Sequence, residues 1–265
     1  MVRRFGFGNP RRRRGQTRAV SGPALSVSIV VPTLNEAPRI AATLARARAA
    51  LPGAEIIVAD GGSTDGTPEI AAAHGAQVIA CARGRGVQLA AGAAQARGEL
   101  LVFLHADTLL PPEAGAVIAR HFARDAVRIG TFRLAFDGGG AFLRACAWLT
   151  RFDSVFTRFG DQVIVVRREF YAEIGGFPPW PLFEDVELLR RARRVTRVWS
   201  LPASVTTSAR RFHRHGVLRQ QWRNARLLLR FLAGASPHAL AAEYGANVSS
   251  ATTRASAQTT ASRKA

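Results

Sequence analysis

The chain has 265 residues, 48% of them hydrophobic, which fits one large globular domain or two small ones and argues against intrinsic disorder. Its two cysteines, Cys81 and Cys146, match none of the short spacings of zinc or thioredoxin-type sites; neither a disulfide scaffold nor a structural zinc is expected, and a reducing, cytoplasmic compartment is. The net charge is +19, and no uncharged apolar run approaches the roughly 18 to 20 residues of a bilayer span.

In chain order, residues 1–25 hold RRRR, Gly6, Gly8, Pro10 and Pro23 without apolar periodicity and read as a disordered basic arm. Val27 to Val31 is a buried strand ending at Pro32, and a helix follows with Pro38 in its first turn and Ile40, Leu44 and Leu51 on one face. Glu55 to Asp60 is a second strand, stopped by Gly61 and Gly62, and Thr67 to Ala73 is helical. Gln77 to Ala80 is a third strand, Val87 to Ala96 an alanine-rich helix and Leu100 to Leu104 a fourth strand. After Pro111 and Pro112, Val117, Ile118 and Phe122 mark another helix. The alternation predicts an α/β fold, a doubly wound, mainly parallel sheet covered by helices on both faces. Ligands in such sheets bind at the carboxyl ends of the strands, where Asn35, Asp60, Arg83 and Asp107 fall.

Past residue 125 the alternation loosens. Val127 to Phe136 reads as a strand, Ala141 to Arg151 as a helix, Gln162 to Val166 as a strand, and Phe183 to Arg194 and Val217 to Ala233 as helices. This elaborated half is expected to bind a second substrate. Residues 246–265 are small and polar and read as a disordered tail, which leaves 26–245 as the folded domain.

The cations are unevenly spread. Residues 1–18 carry seven arginines and no acid, and residues 167–230 carry fourteen arginines against five acids. Such clusters attract phosphates, whether in nucleic acid, anionic lipid or a nucleotide-linked substrate. The helix from Val217 mixes Leu227, Leu228, Leu229, Phe231 and Leu232 with Arg219, Arg223, Arg226 and Arg230. It packs on the domain by default, and peripheral contact with the inner face of a membrane is its second reading.

Four blocks carry candidate chemistry: VSIVVPTLNEA (27–37), EIIVADGGSTDGT (55–67), LLVFLHADT (100–108) and PLFEDVEL (181–188). In the second, Asp60 emerges at a strand end while two glycines let the backbone pass close to a flat ligand, and a carboxylate there suits the imide N–H of a uracil or thymine ring. The same residues also suit an acid-rich turn that caps the next helix, the role expected for Asp65. PTLNEAP reads as a nucleoside contact or as a helix entrance, with Asn35 as cap and Glu36 at the positive dipole end. In RGRG (83–86), Arg83 reaches for a base or phosphate while Gly84 and Gly86 let a helix N-terminus approach a diphosphate, or the segment is a plain surface loop. HAD places Asp107 after the fourth strand, as a cation ligand or as a helix cap. FED puts Glu184 and Asp185 in a first helical turn, where acids also complement the dipole, and Glu187 pairs with Arg191.

Together and in this order, the four blocks resemble the motifs of inverting family 2 glycosyltransferases with the Rossmann-like GT-A fold. GDQVIVVRR (160–168), GGFP (175–178) and TSARRF (207–212) further resemble a small bacterial subfamily associated with radical-SAM enzymes and linked to arsenosugar biosynthesis. The resemblance implies a nucleotide-sugar donor, UDP-linked, an acceptor of unknown identity, inversion in a single displacement, and no specific nucleic acid partner. It places nucleotide contacts on Pro32, Thr33, Asn35, Glu36, Asp60, Arg83 and Ala106. A divalent cation, Mn or Mg, falls to Asp107, with His105 in place of the first aspartate of the DXD pattern; imidazole suits manganese better than magnesium. Asp185 becomes the base, beside Glu184, and Asp161, Gln162, Arg210 and Arg211 line the acceptor or diphosphate, with His213 and His215 as further metal or phosphate contacts. A nucleotidyltransferase would instead place a glycine-rich, basic phosphate loop after the first strand, and VPTLNEA has neither feature. A basic nucleic-acid or membrane-surface binder is the non-enzymatic alternative, marked by steep salt dependence.

Overall fold

The computed structural model describes residues 25–138, 140–149, 152, 154, 162–207 and 217–244. The arms expected at 1–25 and 246–265 therefore lie outside the described residues, apart from Leu25. The first half follows the predicted alternation: β1 (Val27–Thr33), α1 (Ala37–Ala50), β2 (Glu55–Asp60), α2 (Thr67–Ala73), β3 (Gln77–Ala80), α3 (Arg85–Gln95), β4 (Leu100–Phe103), β5 (Thr108–Leu109) and α4 (Ala114–Phe122). The second half adds β6 (Ile129–Phe136), α5 (Gly140–Leu149), β7 (Ile164–Arg167), α6 (Arg168–Glu173), α7 (Glu184–Val195), β8 (Trp199–Thr207) and α8 (Val217–Leu232).

All eight strands join one sheet in the order β3-β2-β1-β4-β7-β6-β8-β5. The pairings of β1 with β2 and β4, and of β2 with β3, are parallel. Two successive antiparallel pairings, β4 with β7 and β7 with β6, return β6 to the direction of β4, and β8 runs parallel to β6. The carboxyl ends of β1, β2, β4, β6 and β8 consequently line up along one edge of the sheet. This is the mixed α/β architecture expected from the sequence, with antiparallel joins that the motif order alone does not predict.

Both faces are covered, which is why the central strands read as unbroken apolar runs. On one face Ile29, Val31, Val102 and Phe132 pack with Leu44 of α1 and Ile118 of α4. On the other Val30, Leu101 and Ile164 pack with Leu89 of α3, Phe170 of α6 and Leu189 of α7. Besides the helical segment 237–244, three elements were not foreseen. Pro202 removes a backbone donor inside WSLPASVTT and hides β8; the β6–β8 register jumps there, from Phe132 opposite Leu201 to Arg133 opposite Ser204. The two-residue β5 and the six-residue α6 are too short to show a period.

α8 buries Leu227 and Leu228 and leaves Trp222 at 75% and Leu229 at 57% exposure. Arg226 and Arg230 pair with Glu243 in the helical segment 237–244 that follows. No helix among the described residues is long and apolar enough to cross a membrane.

Candidate active site

The loops after β1 and β2 are sewn to each other. Asp60 is 4% exposed, and its carboxylate accepts four hydrogen bonds: from Thr33 Oγ1 at 2.9 Å and Ser63 Oγ at 2.5 Å, and from the backbone N–H groups of Gly62 and Ser63 at 3.0 and 2.8 Å. Burial pushes its pKa up, but the bonds from Ser63, Thr33 and Gly62 outweigh that and hold it below the usual carboxylate value. Any further donor would reach Asp60 only by displacing one of these four.

Across the seam, Asn35 N–H donates to Ser63 Oγ, Asn35 Oδ1 accepts from Thr64 N–H, and Glu36 N–H donates to Thr67 Oγ1. Asp65 was expected to cap α2, but the cap residue is Gly66; Asp65, one residue earlier, binds the first N–H of two helices, with Oδ1 accepting from Thr67 N–H of α2 and Oδ2 from Ala37 N–H of α1. Asn35 is thus not the side-chain cap of α1; at φ 55° it occupies the left-handed region, which Asn tolerates better than most residues, and its amide is spent on the neighbouring loop. Glu36 pairs with Arg39 one turn on. Beneath the seam the buried Gln88 donates to the carbonyls of Thr33 and Ala59, tying the ends of β1 and β2 to α3.

HAD lies on the short turn from β4 to β5. Ala106 is buried, and its carbonyl accepts from Thr43 Oγ1 of α1 at 2.7 Å. Thr108 pairs with Thr207 of β8, so the turn is pinned on both sides of the half-buried Asp107. Among the described residues no three His, Cys, Asp or Glu side chains converge into a ready-made metal cage.

FED is the most constrained segment. Phe183 precedes α7 at φ 65°, an unfavourable backbone for a bulky residue, and its ring is stacked on Phe231 of α8 at 4.8 Å. The turn delivers Glu184 and Asp185, 0% and 5% exposed, to the carboxyl end of β4. There Leu104, His105, Ile164, Glu184 and Asp185 line a cavity of about 10 Å³, room for a single water. Glu184 Oε1 pairs with Arg85 Nε, Arg85 Nη2 lies 3.6 Å from Asp185 Oδ1, and Glu184 Oε2 is buried without a hydrogen-bond partner. Burial pushes the Glu184 pKa up to about 7; Arg85 opposes that rise and the neighbouring Asp185 adds to it. Glu187 pairs with Arg191 as expected, and with Arg190 as well.

Sequence reasoning chose Arg83, which is exposed, and missed Arg85, which stands against both acids. It also assigned Gly86 to a diphosphate, whereas Gly86 lies against the segment leading into FED: its N–H donates to Trp180 O, and a Cβ would sit 2.2 Å from Pro178 O. Gly86→Ala is therefore expected to destabilise the fold by about 1–3 kcal/mol through overpacking, read as a lowered melting temperature; an unchanged melt would show that the clamp yields freely. Gln162 is buried, and Thr131 Oγ1 lies 3.4 Å from its Oε1. Asp161, Arg210, Arg211, His213 and His215 lie outside the described residues.

Solved structures share this architecture. A mannosyltransferase from Pyrobaculum calidifontis, in complex with GDP-Man and Mn2+, aligns with TM-score 0.58 and 22% identity over 77% of this chain and 61% of its own. S. aureus TarS residues 1–349 with UDP align at 0.58 and 19% over 69% and 60%, and glucosyl-3-phosphoglycerate synthase from Mycobacterium tuberculosis, with Mn2+, UDP and glucosyl-3-phosphoglycerate, at 0.52 and 22% over 69% and 70%. The chain spans about three fifths of the mannosyltransferase and of the TarS 1–349 fragment, and at these identities the likeness establishes the GT-A fold alone. No curated protein matches. Residues 28–172, more than half of the sequence, match Glycosyl transferase family 2, and the chain belongs to that family.

Proposed function

We propose that the protein moves a sugar from a nucleoside diphosphate donor, UDP-linked, to an acceptor hydroxyl with inversion at the anomeric carbon, and that residues 26–245 form the transferase domain. The observation that carries this reading is the meeting of His105, Glu184 and Asp185 around one cavity at the carboxyl end of β4, in a chain of this family. The β1 and β2 loops, with Pro32, Thr33, Asn35, Glu36 and Asp60, hold the nucleoside. Asp107 would hold a divalent cation, Mn or Mg. When bound, that cation offsets the charge that develops on the diphosphate.

In the transfer step the acceptor oxygen forms a bond to the anomeric carbon as the bond from that carbon to the diphosphate breaks. The hydroxyl proton passes to Asp185, and the leaving nucleoside diphosphate takes the electron pair. The cavity of about 10 Å³ is too small for a sugar. The blocks at 160–168, 175–178 and 207–212 support placement in the radical-SAM-associated bacterial subfamily, and the arginine-flanked stripe of Trp222, Leu229 and Leu232 supports a cytoplasmic protein that touches the inner membrane face.

Thermal shift with UDP and GDP, each with and without Mn2+, tests the donor reading, since a ligand at about 100 times its Kd stabilises by about 2.7 kcal/mol. UDP with Mn2+ is expected to give the largest shift, and Asp107→Ala to lose the manganese-dependent part, at least about tenfold in apparent affinity. Equal shifts in Asp107→Ala and the parent would remove Asp107 from the metal site.

A further inference from the structure

A second and larger cavity, about 400 Å³, opens between the end of β6 and α5, and Arg133, Arg144, Trp148 and Ser204 line it. That volume is in the range of small-molecule sites. Two guanidinium groups border it, and no carboxylate is among its described lining residues. The Nε of Arg133 is buried without a hydrogen-bond partner, an unfavourable arrangement unless something enters to accept the bond. Trp148 is 50% exposed and meets Phe152 edge to face at 5.2 Å, which sets an apolar platform beside the charges.

The strand register fixes where this cleft stands relative to the acids. Thr131 is paired with Ile164, so the two side chains share a face of the sheet, and Arg133, two residues on, shares it as well. Ile164 belongs to the core on the α3 and α7 side and lines the cavity of Glu184 and Asp185. Arg133 also lies toward the carboxyl end of β6, the end at which β4 delivers His105. The cleft therefore neighbours the reaction centre on the side away from the β1 and β2 loops.

We propose that this cleft is the acceptor site and that the acceptor carries a phosphate group, gripped by Arg133 and Arg144, close to the hydroxyl that receives the sugar. Paired guanidiniums match tetrahedral oxyanions through forked, charge-assisted hydrogen bonds, and the Trp148 platform takes the apolar body of the same molecule. The inference rests on the glycosyl-transfer reading. The phosphate belongs either to a small soluble phosphomonoester or to a lipid headgroup, and the cleft's chemistry is the same for both.

Two probes separate these sources: glycerol 3-phosphate, read by thermal shift against glycerol, and phosphatidylglycerol vesicles, read by co-sedimentation against phosphatidylcholine vesicles at about 0.15 M salt. The full chain is expected to bind one anionic probe in preference to its uncharged or zwitterionic control. Arg133→Gln and Arg144→Gln should each weaken that binding about tenfold, and Arg120→Gln, on the exposed face of α4, should leave it unchanged. If Arg133→Gln melts far below the parent, Arg144→Gln, on an exposed helix surface, carries the test by itself. Binding of neither anionic probe, or equal binding by the Arg133→Gln/Arg144→Gln double variant, overturns the proposal. Hydrolysis of a UDP-sugar by the parent protein reports separately on the transferase reading: hydrolysis with arginine-indifferent probe binding refutes only the cleft, whereas arginine-dependent binding without hydrolysis leaves an anion site and removes its acceptor role together with the transferase.

Discussion

Asp185→Asn is expected to lower hydrolysis of the sugar donor, with water standing in for the acceptor, by about 10²–10⁴-fold, with nucleotide affinity kept within about threefold. The substitution is isosteric, so the α7 turn keeps its shape, and what disappears is an oxygen able to take a proton. Asp185 rather than Glu184 is the group to test, because the two neighbours are held differently. Glu184 is fully enclosed, and its one hydrogen-bonded oxygen is taken by Arg85. Both acids line the cavity, so the comparison of the two variants decides between them. Asp185 lies in the first turn of α7, with Oδ1 accepting from Val186 N–H at 2.8 Å, and it lines the cavity that His105 closes from β4. Glu184→Gln should accordingly cost far less than Asp185→Asn in the same assay. If Glu184→Gln alone removed the activity, the base would have to be reassigned to Glu184.

The parts of this site that local rules govern could be read from the sequence. The end of β2 at Asp60 and the end of β4 ahead of HAD follow from apolar runs that stop at glycine or at a histidine, and the bond from Thr67 N–H to Asp65 follows from the place of Asp65 two residues before a helical threonine. What stayed hidden depends on contacts between distant segments. Gln88 sits in an alanine-rich helix and looks like a surface residue; it is buried because the carbonyls of Thr33 and Ala59 at the strand ends need a donor. Arg85 and Arg83 are indistinguishable in RGRG until the start of α3 is known, and that start is fixed by the approach of Gly86 to Pro178 and Trp180, more than ninety residues on. β8 was lost because a proline in a strand argues against the strand unless the register jumps at it, and only the pairing with β6 shows the jump.

Stability is expected to fall as pH rises from about 4.5 to 7, by on the order of 3 kcal/mol from Glu184 alone. The folded protein holds this carboxyl with a pKa of about 7, against an ordinary value of 4.5. Below the lower value both states bind the proton and the group contributes no difference. Between the two values the unfolded chain releases its proton while the fold keeps it, so each unit of pH favours unfolding; above 7 both states are ionised and the loss levels off. Glu184→Gln has no proton to release, so its melting temperature relative to the parent should climb through the same window. Arg85→Ala provides the complementary arm: without the guanidinium the carboxyl is pushed further up, the window extends beyond pH 7, and at pH 8 the variant should lose about 3 kcal/mol as a buried charge is left without its partner. Adding Glu184→Gln to Arg85→Ala should recover most of that loss, because a neutral amide needs no counter-ion. Parallel pH profiles for the parent and Glu184→Gln would mean that Glu184 is as well solvated folded as unfolded, which its full enclosure and unpartnered Oε2 argue against.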